Sequence, residues 1–219
     1  MLISAVIAED HDLTRQGVQS LLENQLDARV AATTGDGLEV FDLVVEHDPD
    51  LLVLDLGLPH LNGLDVLRKI RERDLQVAVV VLSMHAEDSY VITAFELGAS
   101  AYVLKGAPLE ELIEAIRSAL SGKRYLGSGL SETLLEAVRS SSEVADRYEQ
   151  LTDREREVLQ LTAEGHTSDE IGEHLHISPR TVEKHRENIK SKLELRNVVE
   201  MAAYAHQRGL IPNVPDLDD

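Results

Sequence analysis

The sequence predicts an α/β fold, a doubly wound five-stranded parallel sheet, followed by a smaller all-α domain of four helices. Three observations carry this reading. Apolar runs suited to strands alternate five times with helix-spaced segments over about the first 122 residues, the pattern of a parallel sheet covered on both faces. One run, Leu51-Leu52-Val53-Leu54, leads directly into Asp55 and a turn bounded by Gly57 and Pro59, as expected of a strand buried on both faces that ends in a carboxylate. From Leu151 the pattern is helical only, punctuated by capping signals.

The first strand is read at Leu2 to Ala8. Leu13, Val18, Leu21 and Leu22 give Leu13 to Asn24 a helical spacing, and Ala28 to Ala32 follows as a short strand. Leu38 to Val45 is a helix with Leu38, Phe41, Val44 and Val45 inward, and it precedes the Leu51 to Asp55 strand. Gly63 to Glu72 is a helix, Val77 to Leu82 a β-branched strand, and Asp88 to Leu97 a helix closed by Gly98 as C-cap. Ala101 to Leu104 is the fifth strand and Leu109 to Leu120 the fifth helix. Gly122 to Gly129 breaks the periodicity, Ser131 to Arg139 reads as a short helix, and Ser140-Ser141-Ser142 as linker. Thr152-Asp-Arg-Glu155 and Thr167-Ser-Asp-Glu170 are capping boxes that open two helices separated by Gly165. Ser178-Pro179 places an N-cap before proline at the first helical position, and that helix runs to about Leu193. A last helix covers about Val198 to Gly209, and Pro212 to Asp219 is an aperiodic tail. The expected organisation is therefore 1–124 and 148–211 as domains, joined by a 125–147 linker and followed by a 212–219 tail.

Composition narrows the function. With no cysteine, the chain has no disulfide, thiolate metal site or cysteine nucleophile, which fits a reducing cytoplasm. The apolar Met1 to Ala8 lacks a basic start and runs into Glu9, Asp10 and Asp12, so it reads as a core strand and not a signal peptide. Apolar runs are too short to span a membrane. The net charge of −19 is spread over the chain, −11 in 1–125 and −6 in 148–219, so neither half advertises a nucleic-acid footprint as a whole. Ser178 to Arg196 departs from this, with a local balance of +3.

Chemistry in open parallel sheets sits at the C-terminal strand edge. Strands one and three of such a sheet lie side by side, which lets Glu9 and Asp10 approach Asp55. Three carboxylates there repel one another unless a cation joins them, and oxygen ligands suit Mg²⁺. Ser83 and Lys105 fall at the ends of strands four and five; a hydroxyl, an ammonium and Mg²⁺ around a carboxylate make a phosphoryl site. Taken one at a time, these residues are surface charges, a helix cap and a solvated lysine; it is their shared edge that points to chemistry.

Residues 1–124 resemble the receiver domain of response regulators, the CheY-like fold, in Glu9-Asp10, in Asp55, Pro59 and Gly63 of DLGLPHLNG, and in Ser83, Tyr102 and Lys105. The resemblance implies that Asp55 accepts phosphate from a sensor histidine kinase. It implies that Asp10 and Asp55 ligate Mg²⁺ directly with the Gly57 carbonyl, and Glu9 through water. Ser83 would turn to the phosphoryl group, Lys105 would pair with it, and Tyr102 would swing inward as the second switch residue. Lys105 is followed by Gly106 where many receivers carry proline, so no cis-proline turn is expected, and the switch hydroxyl is serine, not threonine. Gly57 and His85 fall at positions that tune dephosphorylation in the family, and His85 is read first as solvated.

The second half reads as a helix-turn-helix. On its third helix Val182, Ile189 and Leu193 define the core side, with His185 at its edge as a packing residue. The other side presents Arg180, Lys184, Glu187, Asn188 and Ser191, flanked by Glu183 and Lys190. Lys184 suits guanine, Asn188 adenine, and either glutamate cytosine N4. Arg180, Arg186, Lys190 and Lys192 suit phosphates, and Thr181 joins the candidate DNA contacts. A solvated amphipathic helix in a small bundle is the bland reading of the same spacing. Residues 151–209 resemble the LuxR-type DNA-binding domain in LTDREREVLQLTAEG and DEIGEHLHISPRTVEKHRENIKSKL. With the receiver this implies the NarL/FixJ class of response regulators: cytoplasmic transcription regulators that bind double-stranded promoter DNA, dimerise on phosphorylation or on DNA, and can meet RNA polymerase, with no membrane partner.

Three functions compete. The leading one is transcriptional control by Mg²⁺-dependent phosphorylation of Asp55, the receiver catalysing only its own phosphoryl transfer and dephosphorylation. An aspartyl-phosphate enzyme of the haloacid-dehalogenase type wants an acid two residues after the nucleophile, where this chain has Gly57. A DNA-binding regulator independent of phosphorylation, with its receiver as a dimerisation module, is the alternative.

Overall fold

The computed structural model describes residues 2–130 and 147–211, so the short helix expected at Ser131 to Arg139 and the tail from Pro212 lie outside the described residues. The chain forms two compact units, one before and one after residues 131–146.

The first unit alternates β1 (Ile3–Ala8), α1 (Asp12–Gln25), β2 (Ala28–Thr34), α2 (Gly37–His47), β3 (Leu51–Leu54), α3 (Gly63–Glu72), β4 (Ala78–Ser83), α4 (Asp88–Glu96), β5 (Ala101–Leu104) and α5 (Leu109–Leu120). A sixth strand, β6 (Tyr125–Leu126), extends the sheet just beyond residue 124. Its two residues are too few to show alternation, and glycines surround them. The order is β2-β1-β3-β4-β5-β6, and every pairing is parallel.

Strand residues alternate between the two faces. Ala5, Ile7, Leu51, Val53, Val80, Leu82, Ala101 and Val103 pack with Val18, Leu21 and Leu22 of α1 and Leu112, Ala115, Ile116 and Ala119 of α5. The intervening Val6, Leu52, Leu54, Val79, Val81 and Tyr102 are also buried, as are Val40, Val44, Val66, Leu67, Ile70, Val91 and Phe95 of α2, α3 and α4. Burial on both faces is what the unbroken apolar runs required. Local signals set the ends. Asp36 caps α2 by accepting from Leu38 N (2.9 Å), and Gly98 at φ 102° closes α4 in a conformation a side chain would oppose.

The second unit begins with a short 3-10 turn (Arg147–Gln150) and holds α6 (Asp153–Ala163), α7 (Ser168–Leu175), α8 (Pro179–Leu193) and α9 (Val198–Gln207). Both capping boxes form, on Thr152/Glu155 and Thr167/Glu170. Gly165 at φ 94° ends α6, and Ser178 caps α8 by accepting from Thr181 N (3.2 Å). Val158, Leu159, Leu161, Ile171, Leu175, Val182, Ile189, Leu193, Met201 and Ala205 form its core.

Candidate functional site

Register brings the candidate residues of the first unit to one edge. Ala8 pairs with Leu54, Leu54 with Val81, and Ser83 with Leu104, so the residues that follow each strand emerge together. The ladder continues one step past the strands: Asp55 N donates to Ala8 O (2.9 Å), Glu9 N to Thr34 O (2.9 Å) and Lys105 N to Ser83 O (2.8 Å). These bonds fix the backbone under Glu9, Asp55 and Lys105.

The side chains then converge. Lys105 Nζ donates to Asp55 Oδ2 (2.7 Å) and to Glu9 Oε1 (2.8 Å), and Gly57 N donates to Asp55 Oδ1 (3.1 Å). Glu9 and Asp55 are 2% and 4% exposed, so this is a desolvated cluster and not a set of surface ion pairs. Burial pushes the Glu9 carboxyl above its usual range, and the Asp55 charge adds to this, while Lys105 works against it. Burial alone would lower the Lys105 ammonium, but Asp55 and Glu9 together carry it above its ordinary value.

Two acids are thus shared by one ammonium, and Glu9 Oε2 is buried without a hydrogen-bond partner. One ligand atom from each of Glu9, Asp10, His11 and Asp55 can be chosen so that all lie within 4.8 Å of one another. Buried, under-neutralised oxygens at that separation fit a hard divalent cation such as Mg²⁺.

Ser83 ends β4, next to β3, and Tyr102 lies on β5 beyond it. Tyr102 is fully buried, its hydroxyl donating to His85 O (2.8 Å), and His85 N donates to Ser83 Oγ (3.1 Å). Burial pushes the Tyr102 phenol well above its usual range, against the pull of its hydrogen bond with Ser83. His85 was expected to be solvated; its ring instead stacks on Tyr90 (centroids 4.3 Å apart, planes 5° apart), and its imidazole is about a quarter exposed.

In the second unit α7, the turn at His176 (φ 53°) and α8 form the helix-turn-helix. Along α8, Arg180, Glu183, Lys184, Glu187, Asn188 and Ser191 are exposed, and Thr181 and Lys190 are half-buried. His185 is half-buried at the core edge, as expected. Arg186 and Lys192 differ from the expectation that they face phosphates. Arg186 is 9% exposed: its Nε donates to Thr162 Oγ1 (3.1 Å), Nη1 to Ser168 Oγ (2.8 Å) and Glu183 Oε1 (3.0 Å), and Nη2 to His166 O (3.0 Å). Lys192 Nζ donates to Glu155 Oε2 (2.6 Å) and Gln150 O (2.9 Å). The reason is periodicity: Val182, Arg186, Ile189 and Leu193 follow i, i+4, i+7, i+11, so Arg186 lies on the buried stripe. Glu183 is held below the usual carboxylate range, first by the Ser168 hydroxyl and then by Arg186.

Sequence reasoning missed two supporting positions, Arg15 and Gly172, and named Gly63 in the receiver resemblance without its steric role. Arg15 Nη1 donates to Glu9 O (2.6 Å), pinning the turn that carries the acid pair. A Cβ on Gly63 would lie 2.4 Å from Asp55 O, so α3 can pass beneath the phosphoacceptor candidate only with glycine there. A Cβ on Gly172 would lie 2.7 Å from Ile177 O, which lets the helix-turn-helix close tightly. A glycine inside a helical pattern was the hint for Gly172.

Comparison with known proteins agrees with this architecture. Residues 5–117 match the response regulator receiver domain, and residues 149–205 match the bacterial regulatory proteins of the luxR family. The chain is 35% identical over 213 residues to the oxygen regulatory protein NreC of Staphylococcus epidermidis, covering 94% of this chain and 98% of that one. It is 36% identical over 210 residues to the transcriptional regulatory protein LiaR of Bacillus subtilis, covering 96% and 100%. Among solved structures, a LuxR-family two-component response regulator from Aurantimonas sp. superposes with a TM-score of 0.56 at 31% identity, covering 64% of this chain and 96% of that one. The chain belongs to the two-component response regulators that carry a LuxR-type DNA-binding domain.

Proposed function

We propose that Asp55 accepts a phosphoryl group from a phosphohistidine of a sensor kinase, and that this acylphosphate controls promoter binding by the helical domain. The observation that carries the reading is Lys105 Nζ, held 2.7 Å from Asp55 and 2.8 Å from Glu9 beside the unpartnered Glu9 Oε2. An Asp55 carboxylate oxygen attacks phosphorus; the O–P bond forms as the N–P bond breaks, and the departing imidazole takes up a proton. Lys105 balances charge on the phosphoryl oxygens, and Ser83 turns its hydroxyl to one of them. Asp10, Asp55 and the Gly57 carbonyl, with Glu9 through water, would hold a Mg²⁺ ion, which would supply positive charge for the same oxygens. Attack by water later returns Asp55 and inorganic phosphate, so the receiver turns over only its own acylphosphate.

Tyr102 reports the state of Ser83 through His85, and this pair is the switch. On α8, Lys184, Asn188, Glu183 and Glu187 face bases, while Arg180, Thr181 and Lys190 face the backbone. Arg186 and Lys192 act from behind, holding the helix in place. The protein works in the cytoplasm as a homodimer on DNA, in reach of RNA polymerase.

The test is mass in solution with Mg²⁺ and beryllofluoride or a small acyl phosphate, for wild type and Asp55→Asn. Wild type is expected to pass from monomer to dimer, and Asp55→Asn to remain a monomer. A wild type that binds DNA yet never changes mass or affinity refutes the reading.

A further inference from the structure

We propose that residues 125–128 form a latch that ties the segment leaving the receiver to the switch strand, closed while Tyr102 is held inward and released when it leaves. This rests on reading Ser83 and Tyr102 as the switch of a phosphorylated receiver. β6 lies in register with β5, Tyr125 beside Ala101 and Leu126 beside Tyr102. Its bonds straddle the switch residue: Tyr125 N donates to Ser100 O (3.0 Å), and Gly127 N to Tyr102 O (2.9 Å). From α5, Glu111 accepts twice from Ser128, at Oε1 from the amide (3.0 Å) and at Oε2 from the hydroxyl (2.6 Å). A Cβ at Gly127 would lie 2.7 Å from Glu111 Oε1 and 3.2 Å from Tyr102 O. A methyl there displaces the Glu111 carboxylate, the far end of a flexible side chain, and so opens the clasp without invading the core.

Two features make this a latch and not merely a sixth strand. β6 is two residues long, half-buried, and sits at the sheet edge with β5 as its one neighbour. So short an edge strand contributes little stability of its own, which places it among the segments that open locally at small cost. It is also joined to the switch through a single residue. The Tyr102 hydroxyl donates to His85 O (2.8 Å), and His85 N donates to Ser83 Oγ (3.1 Å). The Tyr102 side chain is fully buried, so its withdrawal loosens β5 at the residue whose carbonyl holds Gly127 N. Tyr102 thus carries the switch on its side chain and the latch on its backbone. The chain runs from the latch into residues 131–146, so the latch sets where that segment leaves the receiver.

The experiment follows amide hydrogen exchange of a peptide spanning 124–130 in the full chain, with and without Mg²⁺ and a small acyl phosphate. Intact mass reports whether a phosphoryl group has been added. The variants are Glu111→Ala, Gly127→Ala and Tyr102→Phe, the last keeping the ring and removing only the hydroxyl. In wild type, exchange of this peptide is expected to slow on phosphorylation. Glu111→Ala and Gly127→Ala should exchange about tenfold faster than wild type, the loss expected for a charged hydrogen bond, and should take up phosphoryl groups as wild type does. In both, the gain in promoter affinity on phosphorylation should shrink. Tyr102→Phe should keep the basal protection and lose its response to phosphorylation. A phosphorylated wild type whose exchange in this peptide is unchanged overturns the latch and leaves the phosphorylation reading standing. So does a Glu111→Ala chain with wild-type exchange and a wild-type gain in promoter affinity. A wild type that takes up no phosphoryl group overturns both the latch and the reading beneath it.

Discussion

Replacing Arg186 with alanine separates a structural clamp from a DNA contact. The guanidinium makes four hydrogen bonds, and they are not equal. Those to Glu183 and Ser168 reach groups that water can re-solvate, since the Glu183 side chain is 58% exposed. The bond to Thr162 Oγ1 is different, because Thr162 is 4% exposed and Arg186 itself 9%. A charged hydrogen bond to an enclosed group contributes about 1.5–3 kcal/mol, before the packing of the arginine stem is added. That is a large share of the stability of a domain this small. Urea unfolding followed by far-UV circular dichroism on the full chain should show the transition of the helical unit moved to much lower denaturant. Lys184→Ala, at an exposed position on the same helix, should leave that transition in place and weaken promoter binding. If Arg186 instead faced phosphate, its removal would lower the slope of log affinity against log salt by about one and leave stability alone. That outcome would refute the assignment of Arg186 to the fold.

Two perturbations bear on the receiver. Gly63→Ala places a methyl 2.4 Å from the Asp55 carbonyl and 2.9 Å from Leu56 Cα, so it should destabilise the unit by about 2–3 kcal/mol and slow labelling by a small acyl phosphate; unchanged thermal unfolding together with unchanged labelling would remove Gly63 from the site. Glu9→Gln tests the raised Glu9 carboxyl. The folded state holds that proton to higher pH than the unfolded chain, so with divalent cations chelated, wild-type stability should fall as pH rises from the ordinary glutamate range through the raised value. Glu9→Gln should lack that fall and be the more stable protein at neutral pH; parallel pH–stability curves for the two would sink the argument.

The acid pocket was legible because strand-end position is itself readable: four apolar residues before Asp55 announce where β3 stops, and parallel topology puts the neighbouring stops beside it. The helical half was legible for another reason. Capping boxes at Thr152 and Thr167 and the Ser178-Pro179 pair mark helix starts within a residue. What escaped was whatever depends on three-dimensional closeness without a local pattern. β6 is too short to alternate, and it is held by Gly127 N donating to Tyr102 O (2.9 Å) and by Glu111 accepting from Ser128 N (3.0 Å). Arg186 escaped because its charge argued for the surface while its spacing argued for the core. The i+4 step from Val182 was available, and on a helix whose apolar stripe has a gap, spacing outweighs charge when partners exist to satisfy the guanidinium.

The pocket around Asp55 ties chemistry to stability. Glu9 and Asp55 share one ammonium, that of Lys105, and Glu9 keeps a buried oxygen unpartnered. An apolar replacement of the same shape would suit the fold better, because a buried carboxylate without full compensation costs more than its contacts return. The arrangement makes sense if the free pocket is the unfavourable member of a cycle. A cation adds the missing positive charge, and any ligand that binds the folded state alone stabilises it by about 2.7 kcal/mol at a hundred times its dissociation constant. On the phosphoryl transfer proposed above, the same deficit would make Asp55 a competent nucleophile only when positive charge is at hand for the incoming phosphoryl oxygens. Lys105 holds Asp55 with one of its two contacts, and Ser83 on β4 is joined to Tyr102 on β5 through His85, where the proposed switch would register the change. If Asp55 accepts phosphate as proposed, instability of the acid cluster and control of the switch are two consequences of the same charge imbalance, and relieving it by mutation should stabilise the receiver while disarming it.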